Sequence, residues 1–372
     1  MLTSLLGIRL MLLTGTGVPL PVSRELLDAL VAVEVHSEVK SGNGFQLTFT
    51  LAHSGPGHFG VLDDGELAAG TRTVIAVVMG ILPVVLIDGV VTRHDFAPGD
   101  APGSAKLTVT GRDLTYLMDQ VERNKPFANR PDMLIFTEII SAYAQYGLIP
   151  LPSPTTDVPI ELRRTPRQSE SDLKFVQRLA ERNGFVFYLD YTTIGVSTAY
   201  FGPENRLGVP QPAIGVNMGE AADARNVRFA FDSSAPVGTS GTFVEPLSKT
   251  ALPVPTLPSL KVPPLAASPA APVRTEIARD TANRDPVQAA LAVLSASAKA
   301  PDAVSGSCEL ETIAYGAIVQ PRKLIGLRGV GLTYDGVYKV TGVVHALTKG
   351  SYTQRVSFSR EGLGTLLPVV PT

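Results

Sequence analysis

The sequence of 372 residues contains no tryptophan and a single cysteine, Cys308. One cysteine excludes an internal disulfide framework. The absence of tryptophan, with aromatic residues at 6% of the chain, argues against an aromatic platform for sugars. The net charge is only −2, because 32 basic and 34 acidic residues are mixed along the chain. A basic face is therefore not expected, and we predict no nucleic-acid partner.

Long hydrophobic runs are also missing. The apolar N-terminus is interrupted by Arg9 and lacks the basic start of a signal peptide. The segment Val74–Ile87 is too short to span a bilayer and contains Gly80 and Pro83. We therefore expect a soluble chain without a direct membrane span. Hydrophobic residues still make up 44% of the sequence, enough for roughly two to four packed domains.

Residue types that carry catalysis or bind metals are few and scattered. None of the five histidines lies in an HExxH motif or has a partner at ligand spacing: His36, His53, His58, His94 and His345. Cys308 has no neighbouring histidine, Gly326–Gly331 lacks the lysine of a phosphate loop, and Asp63–Glu66 lacks calcium-loop spacing. We predict an inert thiol and two turns there. No catalytic, cofactor-binding or metal-binding residue is predicted, and no cofactor.

A small basic cluster lies near two acidic residues in the last part of the chain. Arg322, Lys323 and Arg328 are close in sequence to Glu309 and Glu311. A set of surface ion pairs is the simplest interpretation. A subunit contact is the alternative.

Residues 1–112 consist mainly of predicted strands. Alternating apolar residues predict strands at Ile8–Leu13, Leu30–Val39, Phe45–Ala52, Thr73–Met79, Val84–Val91 and Ala105–Thr110. The glycines of the Lys40–Gly44 segment predict a hairpin turn. Several short antiparallel strands joined by such turns favour a β-barrel or β-sandwich.

Residues 113–215 mix helices and strands. The predicted order is a helix at Asp113–Val121, a helix at Pro131–Tyr146, an extended segment at Val158–Arg164, a helix within Gln168–Tyr188, and strands near Phe185–Leu189 and Ile194–Phe201. A helix, a glycine and a strand follow each other twice, at Gly147 and at Gly184. These features predict a small α/β layer.

Residues 216–372 return to strands, with an interruption at 233–300. Ser233–Pro272 is rich in proline and low in complexity, which predicts an extended or mobile linker before the alanine-rich helix Val287–Lys299. The predicted strands are Asn226–Asp232, Cys308–Ala314, Leu324–Leu327, Val337–Leu347 and Tyr352–Ser359. We predict a second β unit here.

Two hairpins share a short pattern. Val35 and His36 precede a lysine, a turn and the strand Phe45–Phe49. Val344 and His345 precede a lysine, a turn and a similar strand. The match is explained either by chance or by duplication of a β-barrel within the chain.

The most informative stretch is Gln168–Tyr188, QSESDLKFVQRLAERNGFVFY. Ser169 and Ser171 offer cap acceptors at the helix start, and Gly184 offers a left-handed stop. One helix face is apolar and comprises Leu173, Phe175, Val176, Leu179 and Ala180. This segment resembles a sequence motif of the baseplate hub family of contractile injection systems. That family includes phage late control D proteins and the hub portion of VgrG-type spike proteins.

Other segments are similar to the same family. They are the junction Gly111–Leu114 and, near the end, Pro321–Leu327, Tyr334–Tyr338, Gly350–Gln354 and Arg360–Gly362. The resemblance implies an α+β fold, predominantly antiparallel β. Two tube-like β-barrel domains, at 1–112 and 216–372, would flank a small inserted α/β domain at 113–215.

The resemblance further implies a structural protein rather than an enzyme. Three copies would form an adaptor between a sixfold inner tube and a threefold spike. The implied partners are an inner tube protein, a separate spike protein, since no spike region follows the second β unit, and other baseplate components through residues 233–272. Assembly in the cytoplasm within a phage-tail-like particle is implied. Whether that particle is a phage tail, a secretion system or a free injection particle stays open.

Two other functional classes remain open. A particle-associated cell-wall hydrolase would need paired carboxylates or an activated nucleophile, and the sequence offers no such pair. A receptor- or carbohydrate-binding tail protein is disfavoured by the missing tryptophan and by the central α/β layer.

Overall fold

The computed structural model describes residues 7–39, 42–51, 65–100, 104–161, 164–219, 223–244, 250–254, 261–278 and 286–366. The fold is mostly antiparallel β with few helices. Within these residues the largest sheet has 13 strands, and smaller sheets lie beside it.

The first part of the chain is almost entirely strand. Its elements are β1 (Ile8–Gly15), β2 (Leu20–Pro21), α1 (Arg24–Ala29), β3 (Leu30–Glu38), β4 (Gly42–Leu51), β5 (Arg72–Met79), β6 (Pro83–Ala97) and β7 (Ala105–Asp113). The predicted strands are confirmed, and β6 extends beyond its prediction. In the predicted turn, Lys40 and Ser41 lie outside the described residues, while Gly42–Gly44 belong to β4.

Strand β4 shows why this part folds around one core. Its alternate residues Phe45, Leu47, Phe49 and Leu51 are all buried, as the two-residue period of a strand requires. They share a core with apolar residues from β1, β3, β5, β6 and β7. Strand β3 contacts β6 although β4 and β7 lie between them in the sheet. The sheet therefore curls around this core.

The middle part is the predicted α/β layer. It contains α2 (Thr115–Met118), β8 (Glu122–Pro126), α3 (Asp132–Ser141), a 3-10 turn (Ala144–Tyr146), β9 (Leu148–Pro152), β10 (Arg167–Ser171), α4 (Asp172–Asn183), β11 (Val186–Thr193) and β12 (Val196–Gly202). The helix predicted at Asp113–Val121 is too long, because Asp113 ends β7 and the chain enters β8 at Glu122. The described residues of Val158–Arg164 form no strand.

Helix α4 is fixed by its two ends and by its apolar face. The Ser171 hydroxyl accepts a hydrogen bond from the Lys174 amide at 3.4 Å, whereas Ser169, the other predicted cap, lies in β10. Gly184 ends the helix with φ 68°, and Gly147 has φ 73° at the earlier helix end. The predicted apolar face packs in one core with α3, β11 and β12. The helix prediction is confirmed.

The last part contains strands with an insertion. Its elements are β13 (Gln211–Gly215), β14 (Ala224–Phe231), β15 (Val237–Val244), β16 (Ala251–Val254), β17 (Ser268–Pro269), β18 (Arg274–Ile277), α5 (Pro286–Lys299), β19 (Val304–Glu311), α6 (Thr312–Tyr315), β20 (Leu324–Arg328), β21 (Gly336–Thr348), β22 (Ser351–Arg360) and β23 (Gly362–Leu363).

The prediction of an extended or mobile linker at Ser233–Pro272 is wrong for its described residues. Strand β15 pairs with β16 and β18, and a small apolar cluster joins Val254 to α5. Pro253 lies in β16, an edge strand, which is a position where sheets tolerate proline. Proline content alone therefore does not prevent a small sheet that has a helix to pack on.

Two sets of six strands have the same spatial order. The first β unit runs β1-β5-β6-β7-β4-β3, and the second β unit runs β13-β20-β21-β22-β19-β14. If the six strands of each unit are numbered along the chain, their order across the sheet is first, fourth, fifth, sixth, third and second in both units. They differ at one end, since β1 is antiparallel to β5 whereas β13 is parallel to β20. The insertion β15–α5 takes the place of the short β3–β4 turn.

The strand register aligns the two units residue by residue. A row of directly paired residues crosses each unit: Val35, Phe45, Gly111 and Val91 in the first, and Phe229, Gly306, Phe358 and Val340 in the second. Immediately after each row, the long strand carries one extra residue, Thr92 in β6 and Thr341 in β21. A bulge thus occupies the equivalent point of both units.

The two hairpins with the Val-His pattern are neighbours and not equivalents. In the strand order, β3 and β4 correspond to β14 and β19, while β21 and β22 correspond to β6 and β7. Strand β3 pairs with β21 and thereby joins the two units into one sheet. The repeat is present in the topology, but the short sequence match does not mark it.

Candidate functional site

The two β units and the α/β layer meet at Arg322. Its backbone is left-handed (φ 65°), and Nη2 donates to the Glu38 carbonyl at 3.3 Å. The guanidinium carbon lies 4.8 Å from the ring centre of Tyr188, within cation–π range. Burial lowers the pKa of Arg322. The prediction of a surface ion pair is wrong for this residue because the α/β layer covers it, whereas Lys323 is exposed.

A buried polar cluster next to Arg322 joins the first β unit to β11. Asn43 Nδ2 donates to Asp113 Oδ2 at 3.0 Å and to the Tyr191 hydroxyl at 3.2 Å. Asp113 also accepts from the Thr115 amide at 3.1 Å. Burial raises the pKa of Asp113 despite these bonds. The cluster fixes the α/β layer on the end of β7.

A buried ion pair makes a second link between the first β unit and the α/β layer. Arg72 holds Asp88 with two bonds, Nε to Oδ1 at 2.8 Å and Nη2 to Oδ2 at 2.6 Å. The remaining donors reach the carbonyls of Gly17 at 3.1 Å and Gly195 at 3.0 Å. Burial raises the pKa of Asp88, and Arg72 opposes that shift. The pair therefore connects β5, β6 and the β11–β12 turn.

A charged network anchors the insertion on the second β unit. Arg206 donates to Glu361 at 2.9 Å and to Glu204 at 3.0 Å, and Lys339 also pairs with Glu204. Glu361 accepts from the Ala266 amide at 3.1 Å. Burial opposes ionisation of Glu204, but Lys339 and Arg206 together lower its pKa. The residues before β17 are thereby tied to β21 and β22.

Helix α5 of the insertion packs on α4. The Ser295 hydroxyl donates to the Glu181 carbonyl, and Lys299 Nζ lies 3.2 Å from the Glu181 carboxylate. A Cβ atom at Gly184 would lie 3.3 Å from the Ser295 Cα. The glycine that ends α4 therefore also permits the close approach of α5.

Two cavities flank Arg322, with volumes of about 270 Å³ and about 450 Å³. Both are lined by Tyr188, Asn205 and Arg322. Across the described residues, no cluster of three or more His, Cys, Asp or Glu side chains is placed to hold a metal ion.

The candidate residues of the sequence do not come together. His36 Nε2 lies 3.0 Å from Glu34 Oε1 at the surface, and His94 Nε2 lies 2.6 Å from the Leu67 carbonyl oxygen. His345 is buried with its Nδ1 3.0 Å from the Tyr352 hydroxyl, and burial lowers its pKa to about 3. His53 and His58 lie outside the described residues.

The remaining candidates, which are Cys308, the glycine run and the acidic residues, have structural surroundings rather than those of a catalytic or binding site. The Cys308 thiol is buried as predicted, and burial raises its pKa to about 12, which disfavours the reactive thiolate. The predicted turn is found only in the second half of the glycine run, where Gly329 and Gly331 have φ 88° and 91°, because Gly326–Arg328 belong to β20. In the acidic segment, Asp63 and Asp64 lie outside the described residues. Glu309 pairs with Arg355 at 3.3 Å rather than with the basic cluster.

The sequence did not reveal the buried pairs. Arg72 and Asp88 stand on neighbouring strands, and Arg206 and Glu361 are 155 residues apart. The one available signal was the position of Glu361 in a segment similar to the hub family. Among the helices that the structure describes, none combines the length and the apolar character that crossing a membrane requires.

Comparison with known proteins gives matches of structure but not of sequence. No protein-family model matches the chain, and no curated protein matches it. The tail protein from Neisseria meningitidis MC58 aligns with a TM-score of 0.64 at 12% identity, over 96% of this chain and 98% of that chain.

Two further solved structures are similar. The E. coli c3393 protein is a component of the type VI secretion system with structural similarity to the T4 bacteriophage tail proteins gp27 and gp5. It aligns with a TM-score of 0.56 at 12% identity, over 92% of this chain and 77% of that chain. A chain of a Francisella PdpA-VgrG complex aligns with a TM-score of 0.54 at 10% identity, over 98% of this chain and 60% of that chain. The chain therefore has the mostly antiparallel β fold of these tail and type VI secretion structures, in agreement with its resemblance to the baseplate hub family.

Proposed function

We propose that this chain is the structural hub of a contractile injection system baseplate. Three copies form an adaptor between the sixfold inner tube and the threefold spike. The observation that carries the proposal is the shared order of six strands in the two β units. Two similar units per chain let threefold symmetry present an approximately sixfold ring.

Each β unit is a tube-like barrel in this proposal. The first surrounds one apolar core and the second surrounds another, which draws on β13, β14 and β19–β22. When a six-stranded sheet already curls around a core, only the gap between its first and last strands remains to be closed to form a barrel. The domains are accordingly the first barrel at 1–112, the α/β domain at 113–215, and the second barrel with its insertion at 216–372.

The proposed role is mechanical rather than catalytic. Bonds from Arg72 and Arg206 fix the α/β layer to the two β units, Arg322 joins the two units, and Glu361 binds the insertion. Buried side-chain pairs of this kind resist relative movement of the parts that they join. A hub that transmits the load of tube ejection needs such rigidity.

The proposed partners follow from the fold of the relatives. The similar chains come from tail proteins, a type VI secretion component and a complex that contains VgrG. We assign to this chain an inner tube protein, a spike protein, and further baseplate components that contact residues 233–272. Assembly takes place in the cytoplasm, within a phage-tail-like particle.

The test is reconstitution of the full-length chain with the tube-like and spike-like proteins encoded beside it. We expect a complex with equal numbers of hub and spike chains, bound at one end of assembled tubes in electron micrographs. Failure to bind either protein contradicts the hub function. Turnover of purified peptidoglycan by the isolated chain would instead support a hydrolase, and glycan binding would support a receptor-binding protein.

A further inference from the structure

Arg322 is a covered cation that the described part of the chain leaves without a counter-ion. Among the described residues, its guanidinium makes one hydrogen bond, from Nη2 to the Glu38 carbonyl at 3.3 Å, and no carboxylate lies within ion-pair distance. Burial lowers its pKa, and the carboxylates of Asp113 and Asp190 oppose that shift only from a distance. Covering a charge is costly unless an opposite charge offsets the cost. A partner from outside the chain would supply that charge.

Arg360 shows how the same chain satisfies a buried guanidinium without a carboxylate. Each of its three nitrogens donates to a backbone carbonyl, at 2.9, 2.9 and 2.8 Å, and its guanidinium carbon lies 4.3 Å from the ring centre of Tyr338. Arg322 has the equivalent ring contact with Tyr188 but one carbonyl instead of three. Its remaining N–H groups are therefore available to an acceptor that the described residues do not provide.

Arg322 also stands between the two cavities of about 270 Å³ and about 450 Å³ and lines both. In the first cavity, Arg322 and Lys323 face a single acidic residue, Asp190. In the second cavity, each lysine already has an acidic partner: Lys299 lies 3.2 Å from Glu181, and Lys339 pairs with Glu204. The charge of Arg322 is left over in both cavities, so both attract an anion.

The walls on either side of Arg322 are apolar and only partly covered. The first cavity is lined by Val84, Val209 and Ile318, and the second by Val39, Phe185 and Val186, none of which is fully buried. A small anion bound to Arg322 would leave these apolar surfaces in water. An extended segment with an apolar residue on each side of an acidic residue would cover them, which is favourable.

We propose that Arg322 and the two cavities bind an extended acidic segment of a partner protein. A glutamate or aspartate carboxylate of that segment accepts hydrogen bonds from the guanidinium, and the apolar residues before and after it each enter one cavity. The planar guanidinium suits both oxygens of a carboxylate, and the Tyr188 ring holds its plane in place. The proposal rests on the hub function for the source of the segment, which is another baseplate protein, while binding itself is measurable with a synthetic peptide.

The first test is titration of the acetylated peptide Ala-Leu-Glu-Leu-Ala, labelled with rhodamine, with the full-length chain, followed by fluorescence anisotropy. We expect saturable binding, and binding about tenfold weaker when glutamine replaces the glutamate of the peptide, because a hydrogen bond to a charged group is lost. Arg322→Gln should weaken binding by the same factor. The matched control is Arg355→Gln, which removes an exposed cation that lines neither cavity and should leave the affinity unchanged.

Photo-cross-linking of the native chain gives a second measurement that no loss of stability in Arg322→Gln can affect. A benzophenone in place of either leucine of the peptide should cross-link to residues that line the two cavities, located by mass spectrometry. Equal affinity for the glutamate and glutamine peptides, or cross-links elsewhere, overturns the proposal. So does competition by N-acetylglutamate amide at the same concentration as the peptide, because the site would then bind a small carboxylate. A chain that binds tube and spike proteins but not the peptide lacks this site and keeps the hub function.

Discussion

Phe45 of β4 lies directly opposite Gly111 of β7, and its ring occupies the space that a side chain at 111 would need. A Cβ atom at Gly111 would lie 2.1 Å from the Phe45 ring. At the equivalent place of the second β unit the two residues are exchanged, with Gly306 on β19 opposite Phe358 on β22. Each unit thus fills the same position with one phenylalanine ring. The first unit supplies it from β4, and the second supplies it from β22, the equivalent of β7.

This exchange predicts a rescue. Phe45→Gly should lower the free energy of unfolding by about 4 kcal/mol through the cavity it leaves. Gly111→Phe should lower it by about 3 kcal/mol through overpacking. The double variant reproduces the arrangement of the second unit and removes the ring contact, while the Val90 carbonyl oxygen would still lie 2.7 Å from a Cβ atom at 111. Its loss should therefore be smaller than the sum, by about 2 kcal/mol. Urea unfolding measures all three values.

Phe49 supplies the matched control for that rescue. It is buried in the same core but lies opposite Leu107. Phe49→Gly with Gly111→Phe should show no rescue. If both double variants recover the same free energy of unfolding, the core accommodates such changes without regard to position. The equivalence of the two rows of paired residues would then lose its support.

Acid should destabilise the protein through His345. Its folded pKa, lowered to about 3 by burial, lies below the ordinary value of about 6.5. The unfolded chain takes up a proton that the folded chain does not, so stability is lost as the pH falls from about 6.5 toward 3. The loss from this residue is about 2 kcal/mol at pH 5. His345→Gln should remove that part of the pH dependence.

The control is His36, the other member of the Val-His pattern. Its side chain is 46% exposed. Unfolding free energies should be measured from pH 7 to pH 5 in the native chain, in His345→Gln and in His36→Gln. An unchanged slope in His345→Gln would show that other groups cause the acid sensitivity.

Breaking the Arg72–Asp88 pair should cost much more than breaking a surface pair. The two side chains are 4% and 1% exposed, so Asp88→Asn leaves a buried cation without its counter-ion. We expect a loss of about 3–5 kcal/mol in unfolding free energy. Glu309→Gln, which breaks an exposed pair with Arg355, should cost less than about 1 kcal/mol.

A double apolar replacement separates charge burial from packing. Arg72→Met with Asp88→Leu removes both charges, and it should recover most of the loss seen in Asp88→Asn. If the double variant is as unstable as the single one, then the bonds from Arg72 to the Gly17 and Gly195 carbonyls provide most of the stability.

Local patterns in the sequence predict most elements well. The apolar period and Gly184 place helix α4, and alternation places β4 and the β5–β6 hairpin, because these signals depend on near neighbours. Composition does not predict the small sheet of the insertion, because that sheet is stabilised by packing on α5. The burial of Arg322 is not predictable locally for a related reason, since the layer that covers it is distant in sequence.

The duplication shows the limit of local comparison. Val35 and His345 drew attention through a short shared pattern, yet they pair with each other across β3 and β21. The equivalent residue of Val35 is Phe229, with which it shares no local pattern. Strand order and register preserve the repeat while side chains exchange, as Phe45 and Phe358 do, so the sequence alone does not show it.

The most direct test is the mass of the purified full-length chain, measured without denaturation and combined with averaged electron micrographs along the particle axis. We expect three copies per particle and a ring of six similar lobes around a central channel. A single copy, a twofold assembly, or a three-copy particle with three lobes would contradict it.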